Sequence, residues 1–427
     1  MKPILIVGAS VGGATAANTL VNAGVPVILL ERDLKWVKPC GGALPPIAFD
    51  EFDIPQHLIS RKVKTTMIYS PTDRTAVVKV AGLEDTANDY VAMACREDLD
   101  PYLRNRAVQN GAKLIEGSLS DLDVQHDGVQ VTYRDKASGQ KETMHVEAVI
   151  GADGAYSTTA KVLGLERLPR CIAIQERIRL PESKMAQWED TADLYLGRNV
   201  SPDLYAWVFP KSDHVAIGCG AGPGNTKEAR QLLANLKERI APRIKGGEVF
   251  LEEAYSLPMH PRKQIAFERV MLIGDAAGLV VGTSGEGIYW AMKSGKCAAE
   301  TLIEHLPDTS LQALRSYEKN WWKEYRTMYR FLQWLQKWGY GNERQMEVFT
   351  DMCRSQDVQQ LTFESYMHKN MTPVPWFAQM RMTGGILTSQ VRHYLPKRGS
   401  PNKQQAAYEA AADGRDASGD PRNRAQA

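Results

Sequence analysis

The 427-residue chain has no paired cysteines, no histidine pair on a helical face, no long apolar run and almost no net charge. Each shortage removes a class of protein. The six cysteines (Cys40, Cys95, Cys171, Cys219, Cys297, Cys353) contain no CxxC pair. That excludes a zinc ribbon or a disulfide scaffold and suits a reduced compartment. The histidines show no HxxxH spacing, so the common two-histidine metal site is absent. A formal charge of +2 gives no field for holding nucleic acid. No window approaches the ~20 uninterrupted apolar residues of a membrane span. No charged-and-apolar leader or Arg/Ser-rich transit stretch precedes Ile4. The expectation is a protein on the cytoplasmic side, soluble or peripherally membrane-associated. With 43% hydrophobic residues, the chain can build two or three domains at roughly 100–200 residues each.

What the chain does have is glycine at the ends of short apolar strands. Residues 4–13 read ILIVGASVGG, residues 149–154 VIGADG and residues 270–278 VMLIGDAAG. In the first, Gly8 makes a tight turn, and Gly12 and Gly13 open a small-residue helix whose N-terminus suits a diphosphate. Ser10 stands where the usual pattern has its middle glycine. Glu31, roughly 20 residues further on and followed by Arg32, stands where a carboxylate takes a ribose hydroxyl. In the other turns Asp153 and Gly274-Asp275 precede residues with almost no side chain. That suits a polyol passing close to backbone. SGEG at 284–287 (Gly285, Glu286, Gly287) opens another helix, whose N–H groups would face the negative side of a reduced isoalloxazine. Three such turns in this order describe one long cofactor held at several points, FAD.

The fold expected is α/β: a Rossmann-like FAD-binding domain, an inserted antiparallel β-sheet substrate domain and a C-terminal helical region. The cofactor domain is assigned to 1–62, 92–170 and 260–310, and the sheet domain to 63–91 and 171–259. Helices take 311–396, and 397–427, poor in large apolar groups, is a disordered tail. Within these, 65–80 is expected as a strand and 286–306 as a long helix.

The turns together resemble the FAD-binding fold of the aromatic hydroxylase class, and that resemblance places Arg96 beside the cofactor. Two further segments are KPCGGA at 38–43 and PDLYAWVFP at 202–210. They resemble the PCGG loop and the PxxYxWxFP strand of the geranylgeranyl reductase family. FDIP at 52–55, QERIR at 175–179, KSDHVA at 211–216, SGEGIY at 284–289 and LTFESY at 361–366 extend the similarity. It spans roughly residues 3–395 and is nearest the chlorophyll and bacteriochlorophyll branch. The resemblance implies reduction of three of the four double bonds of a geranylgeranyl chain to phytyl with NADPH. The chain would be carried on the pigment or as the diphosphate. Reduced ferredoxin stays open as electron donor, and an accessory membrane protein as partner.

Adding hydrogen to an isolated alkene requires a dry site and a poised proton donor. Tyr205, Trp207 and Phe209 alternate on a strand and so face one side, as the wall of a substrate tunnel. Cys40, between Pro39 and the pair Gly41-Gly42, sits on a loop able to approach the flavin. A thiol with an ordinary pKa of about 8.5 is mostly protonated at neutral pH. Cys40 and Tyr205 are therefore the two candidate donors. Residues 317–338, rich in Tyr, Trp, Lys and Arg, suit either an interfacial helix or a helix packed on the inserted sheet. Two other readings stay open: an FAD monooxygenase of the aromatic hydroxylase class, and a non-catalytic flavin-binding partner of pigment synthesis. Ser10 and the small pair Gly282-Thr283 keep the last one open.

Overall fold

The structure, a computed structural model, describes residues 1–79 and 89–367, with 369, 384–385, 388–390 and 393. The tail expected at 397–427 lies outside the described residues. Five parallel strands form the centre of an eight-stranded sheet, in the order Lys113–Gln125, Val27–Glu31, Ile4–Val7, Ala148–Gly151 and Val270–Leu272. The ILIV run is buried at every position, as a strand covered on both faces must be. Antiparallel strands Gly128–Asp135 and Lys141–Val146 widen one edge, and Ala266–Phe267 the other. The strands Ile4–Val7, Ala148–Gly151 and Val270–Leu272, which carry the three glycine turns, are immediate neighbours. Turns far apart in sequence thus meet beyond the carboxyl ends of adjacent parallel strands, where open α/β sheets take their ligands.

Small residues let the helices around these turns close up. The helix Val11–Asn22 lies against Ile288–His305, and a Cβ on Gly295 would stand 2.4 Å from the Gly12 carbonyl oxygen. Gly13 is needed inside its own turn, because a Cβ there would stand 1.9 Å from the Gly8 carbonyl oxygen.

The inserted sheet has seven strands. Their order is Glu248–Pro258, Arg170–Arg179, Val215–Ala221, Ser201–Pro210, Thr191–Gly197, Thr65–Tyr69 and Thr75–Lys79. It is antiparallel except where Thr191–Gly197 runs parallel to Thr65–Tyr69. That pair cannot be a hairpin, since its members come from different parts of the chain. Where one strand was expected over 65–80, residues 65–79 form a hairpin. Its turn has Asp73 at φ 60°, and the Ser70 hydroxyl accepts from the Arg74 backbone N–H at 3.0 Å. A third, three-stranded sheet, unforeseen from sequence, joins Ala43–Leu44, Val91–Ala94 and Ile59–Val63.

The C-terminal helices are Leu311–Gly339, Glu343–Met352 and Gln356–Met367. The first divides in two. Tyr317, Trp321, Tyr325 and Tyr329 recur every fourth residue and are buried. Trp290 of the preceding helix meets Trp321 at 6.0 Å, Tyr325 at 5.1 Å and Tyr329 at 6.0 Å between ring centres. This half packs on the cofactor domain rather than on the inserted sheet. The later Phe331 (42% exposed) and Trp334 (57% exposed) face outward. Trp290→Ala should cost about 3–5 kcal/mol by opening a cavity at the centre of this aromatic cluster. Chemical denaturation measures it, and a loss under 1 kcal/mol would contradict the packing described.

Candidate functional site

One cavity of about 1100 Å³ runs from the three glycine turns, beneath the seven-stranded sheet, to the C-terminal helices. Of the residues singled out in the sequence, all but Gly13 line it. The two ends differ. Around the turns are Glu31, Lys38, Arg96 and Asp275. Toward the sheet and helices the lining is mostly apolar and aromatic.

At the first turn, Gly8 has φ +101°, and a Cβ would stand 2.4 Å from the Ala152 carbonyl oxygen. Only glycine fits there. Ser10 has φ −78°, ordinary for an L-residue, so the turn does not need glycine at that position. Its hydroxyl donates to the Asp100 carboxylate at 2.9 Å and accepts from Arg96 at 2.8 Å. Arg96 is buried and chelated by Asp100 through Nε and Nη2. Burial opposes its charge, but Asp100 more than compensates, and the guanidinium stays charged. The serine departure is therefore part of a network that ties the first turn to the start of the helix Arg96–Gln109. Glu31 accepts from the Ala9 backbone N–H at 2.8 Å, so its carboxylate stands at the turn.

The carboxylates of the other two turns have different work. Asp153 accepts from Ser157 Oγ at 2.6 Å, Thr159 N at 2.8 Å and Thr159 Oγ1 at 3.0 Å. It secures the short helix Thr158–Val162, and burial raises its pKa. Asp275 instead faces the cavity and pairs with Lys38 at 2.5 Å. Burial alone would lower the Lys38 pKa; the Asp275 charge outweighs it and holds it above the ordinary value. Tyr255 lies 5.0 Å beneath the same ammonium. In the segment 282–287, Gly282 lies against the long helix, where a Cβ would meet the end of the Gln336 side chain. Glu286 is paired with Lys369 at 2.6 Å and accepts from Trp290 Nε1 at 3.2 Å.

The Cys40 loop is anchored carbonyl by carbonyl. Gln175 Nε2 donates to the Cys40 carbonyl at 3.1 Å, and Lys211 Nζ to that of Gly41 at 2.7 Å. The Ala94 N–H donates to the Gly42 carbonyl at 2.8 Å. Gly41 lies flat on the aromatic strand, where a Cβ would stand 2.7 Å from the Phe209 ring. The Gly42 N–H points at the Cys40 sulfur at 3.3 Å. Tyr205, Trp207 and Phe209 line up with ring centres 6.0 and 6.1 Å apart, as their alternation required. The Tyr205 hydroxyl donates to the Ser284 carbonyl, and burial raises its pKa well above the ordinary value.

Sequence reasoning missed Lys38, Asp100, Gln175 and Lys211 as members of this site. The one available signal was position: Lys38 directly precedes PCGG, and Lys211 directly follows the aromatic strand. Lys211 is buried, and burial pushes its pKa down to about 8. Its positive charge on Gly41 is thus present below pH 8 and lost above. We expect kcat to fall on the alkaline side with an apparent pKa near 8. Lys211→Arg, which stays charged, should shift that limb upward. An unmoved limb in a pH–rate profile would assign it to another group.

Adjacent glycine turns at parallel strand ends, a cavity beyond them and a sheet roofing that cavity define an FAD-dependent oxidoreductase of the aromatic-hydroxylase fold. The residues fit FAD: Gly8 leaves the backbone bare, Glu31 stands at ribose distance along the sequence, and Asp275 faces the open cavity. Residues 1–328 match the FAD-binding domain family. A geranylgeranyl diphosphate reductase of Synechocystis is 40% identical over 91% of this chain and 98% of its own length. The chloroplastic enzyme of that name from Arabidopsis thaliana is 38% identical over 91% and 85%. That of Rhodobacter capsulatus is 34% identical over 86% and 92%. The fold matches the crystal structure of a geranylgeranyl bacteriochlorophyll reductase-like protein from Thermoplasma acidophilum. Its TM-score is 0.69 at 23% identity, covering 96% of this chain and 98% of that one. The chain belongs to the geranylgeranyl diphosphate reductase family.

Proposed function

We propose that this protein is an FAD-dependent reductase that saturates three double bonds of a geranylgeranyl chain to give phytyl. The chain is borne by a chlorophyll-type pigment or by diphosphate, and NADPH is the electron donor. The observation that carries the reading is the continuity of one cavity: its polar end suits a dinucleotide, and its aromatic and apolar end continues past the Cys40 loop. When bound, FAD supplies the hydride. The chain's own residues hold the cofactor, exclude water and keep a proton ready. Gly8, Gly12, Ser10 with Arg96, and Glu31 hold the nucleotide end, and Lys38 and Asp275 flank the middle. Gly285 and Gly287 leave room at the helix start. Trp207 and Phe209 wall off water. Cys40 Sγ is the proton donor in this reading, because the Tyr205 proton is committed to the Ser284 carbonyl.

The outward half of the long helix supports a peripheral membrane contact. Phe331, Trp334 and Trp338 line the cavity and stack in sequence, with centres 6.0 Å apart at each step. No helix among the described residues is long and apolar enough to cross a membrane. Drawing a twenty-carbon tail out of water would yield at most ~16 kcal/mol, at ~0.8 kcal/mol per carbon. From a bilayer the gain is small, so receiving the chain at an aromatic rim is the efficient route.

The reading is tested by mixing reduced holoprotein with geranylgeranyl diphosphate without oxygen. Flavin absorbance at its oxidised maximum should return on substrate addition alone. Return only after oxygen is admitted would favour the monooxygenase.

A further inference from the structure

The cavity does not stop at the aromatic wall. Cross-strand register places Gln175, Gly218, Trp207, Leu194, Ile68 and Ala76 opposite one another on six successive strands. The row grades from polar to apolar. Gln175 holds the Cys40 loop, and Gly218 is bare because the Trp207 ring covers it, 2.3 Å from where a Cβ would stand. Beyond Trp207, the residues Leu194 and Ile68 line the cavity, and Phe349, Met352 and Cys353 close over it from the helical side. Leu196, Ile68, Ala76 and Cys353 form one buried cluster, with Leu194, Tyr205 and Phe349 packed against it. The cover is fastened at its far end. Thr72 N and Oγ1 both donate to Glu347 Oε1 at 2.8 Å, and Arg74 pairs with Asp351.

Dimensions give this lobe a meaning. Strands lie about 4.8 Å apart, so three steps from the Trp207 strand to Thr75–Lys79 span roughly 14 Å. Double bonds of a prenyl chain recur every four carbons, about 5 Å with carbon–carbon bonds of about 1.5 Å. One strand step therefore matches one isoprene repeat. The Cys40 loop is fixed by its anchors, whereas three double bonds must reach it in turn. The chain has to slide by one repeat between reductions. Reducing the reactive bond nearest the head group places two further repeats, about 10 Å, beyond the reacting point.

We propose that the lobe roofed by Thr191–Gly197, Thr65–Tyr69 and Thr75–Lys79 and floored by Glu343–Met352 receives the distal isoprene units. Its depth sets how many double bonds are reduced. The inference rests on the prenyl-reductase reading and adds a specificity determinant to it.

Met352→Trp and Ile68→Trp fill the far part of the lobe from opposite sides, with Ile68→Phe as a milder alternative; Ile68 stands two strand steps, hence two repeats, from Trp207. Flavin content and thermal midpoint identify variants that fold. Each folded variant is incubated anaerobically with geranylgeranyl diphosphate and separately with farnesyl diphosphate, one repeat shorter. Products are resolved by mass and by double-bond position. The wild type should carry the longer chain through all three reductions. The filled variants should stop after two, with at least about tenfold less third product and the remaining reactive bond nearest the head group. Farnesyl reduction should stay at the wild-type level. Unchanged products, or equal slowing at every bond and both lengths, would overturn the ruler and leave the reductase reading standing. A wild type that reduces neither chain would remove both.

Discussion

Gly8→Val is expected to give a folded but colourless protein, with FAD affinity at least ~100-fold lower, a penalty of about 3 kcal/mol. The new side chain meets two obstacles. At φ +101° an L-residue pays roughly 1–2 kcal/mol of backbone strain. Its Cβ would also stand 2.4 Å from the Ala152 carbonyl oxygen, in backbone just past the neighbouring strand that is held by the Ala152 N–H bond to the Val7 carbonyl. Relief requires the first two turns to part, and they are the two that must hold one dinucleotide together. Ser10→Gly, in contrast, should keep its flavin. Ser10 contributes a hydroxyl to Arg96 and Asp100, not a backbone shape. Absorbance of purified protein at the flavin and protein bands reads both outcomes. A yellow Gly8→Val protein would mean that the turn does not carry the cofactor.

Cys40→Ala should retain flavin and lose ~10²–10⁴ in turnover, the usual contribution of a positioned general acid. Cys40→Ser should be similarly slow, since a hydroxyl gives up its proton far less readily. The loop itself should survive. Its anchors from Gln175, Lys211 and Ala94 all go to carbonyl oxygens of Cys40, Gly41 and Gly42, which neither substitution removes. Rates per bound flavin with a geranylgeranyl substrate measure the effect. Full activity in both variants would move the proton donor elsewhere, with Tyr205 next in line.

Local rules made the cofactor end legible. Gly8 and Gly274 adopt positive φ, and a short apolar run such as ILIV ending at a glycine turn reads as a strand covered on both faces. The aromatic wall was equally readable, because alternation on a strand fixes which side chains share a face. What escaped was set by distant partners. Lys211 meets Gly41 across 170 residues, Gln175 meets Cys40 across 135, and Ser10 meets Asp100 across 90. No local pattern encodes those meetings. The three-stranded sheet was missed for a related reason: its strands are short and drawn from separate parts of the chain. The long helix did carry a signal. Tyr317, Trp321, Tyr325 and Tyr329 repeat every fourth residue, which marks a buried stripe, whereas Phe331 and Trp334 break that spacing and face outward.

The most direct test of the account is the mass of the product. Holoprotein, NADPH and a geranylgeranyl-bearing pigment or diphosphate are incubated without oxygen and sampled over time. The account predicts successive gains of two hydrogens, ending after the third, with no oxygen added. A product heavier by oxygen once air is admitted, or a substrate mass that never changes while the flavin is reduced, would contradict it.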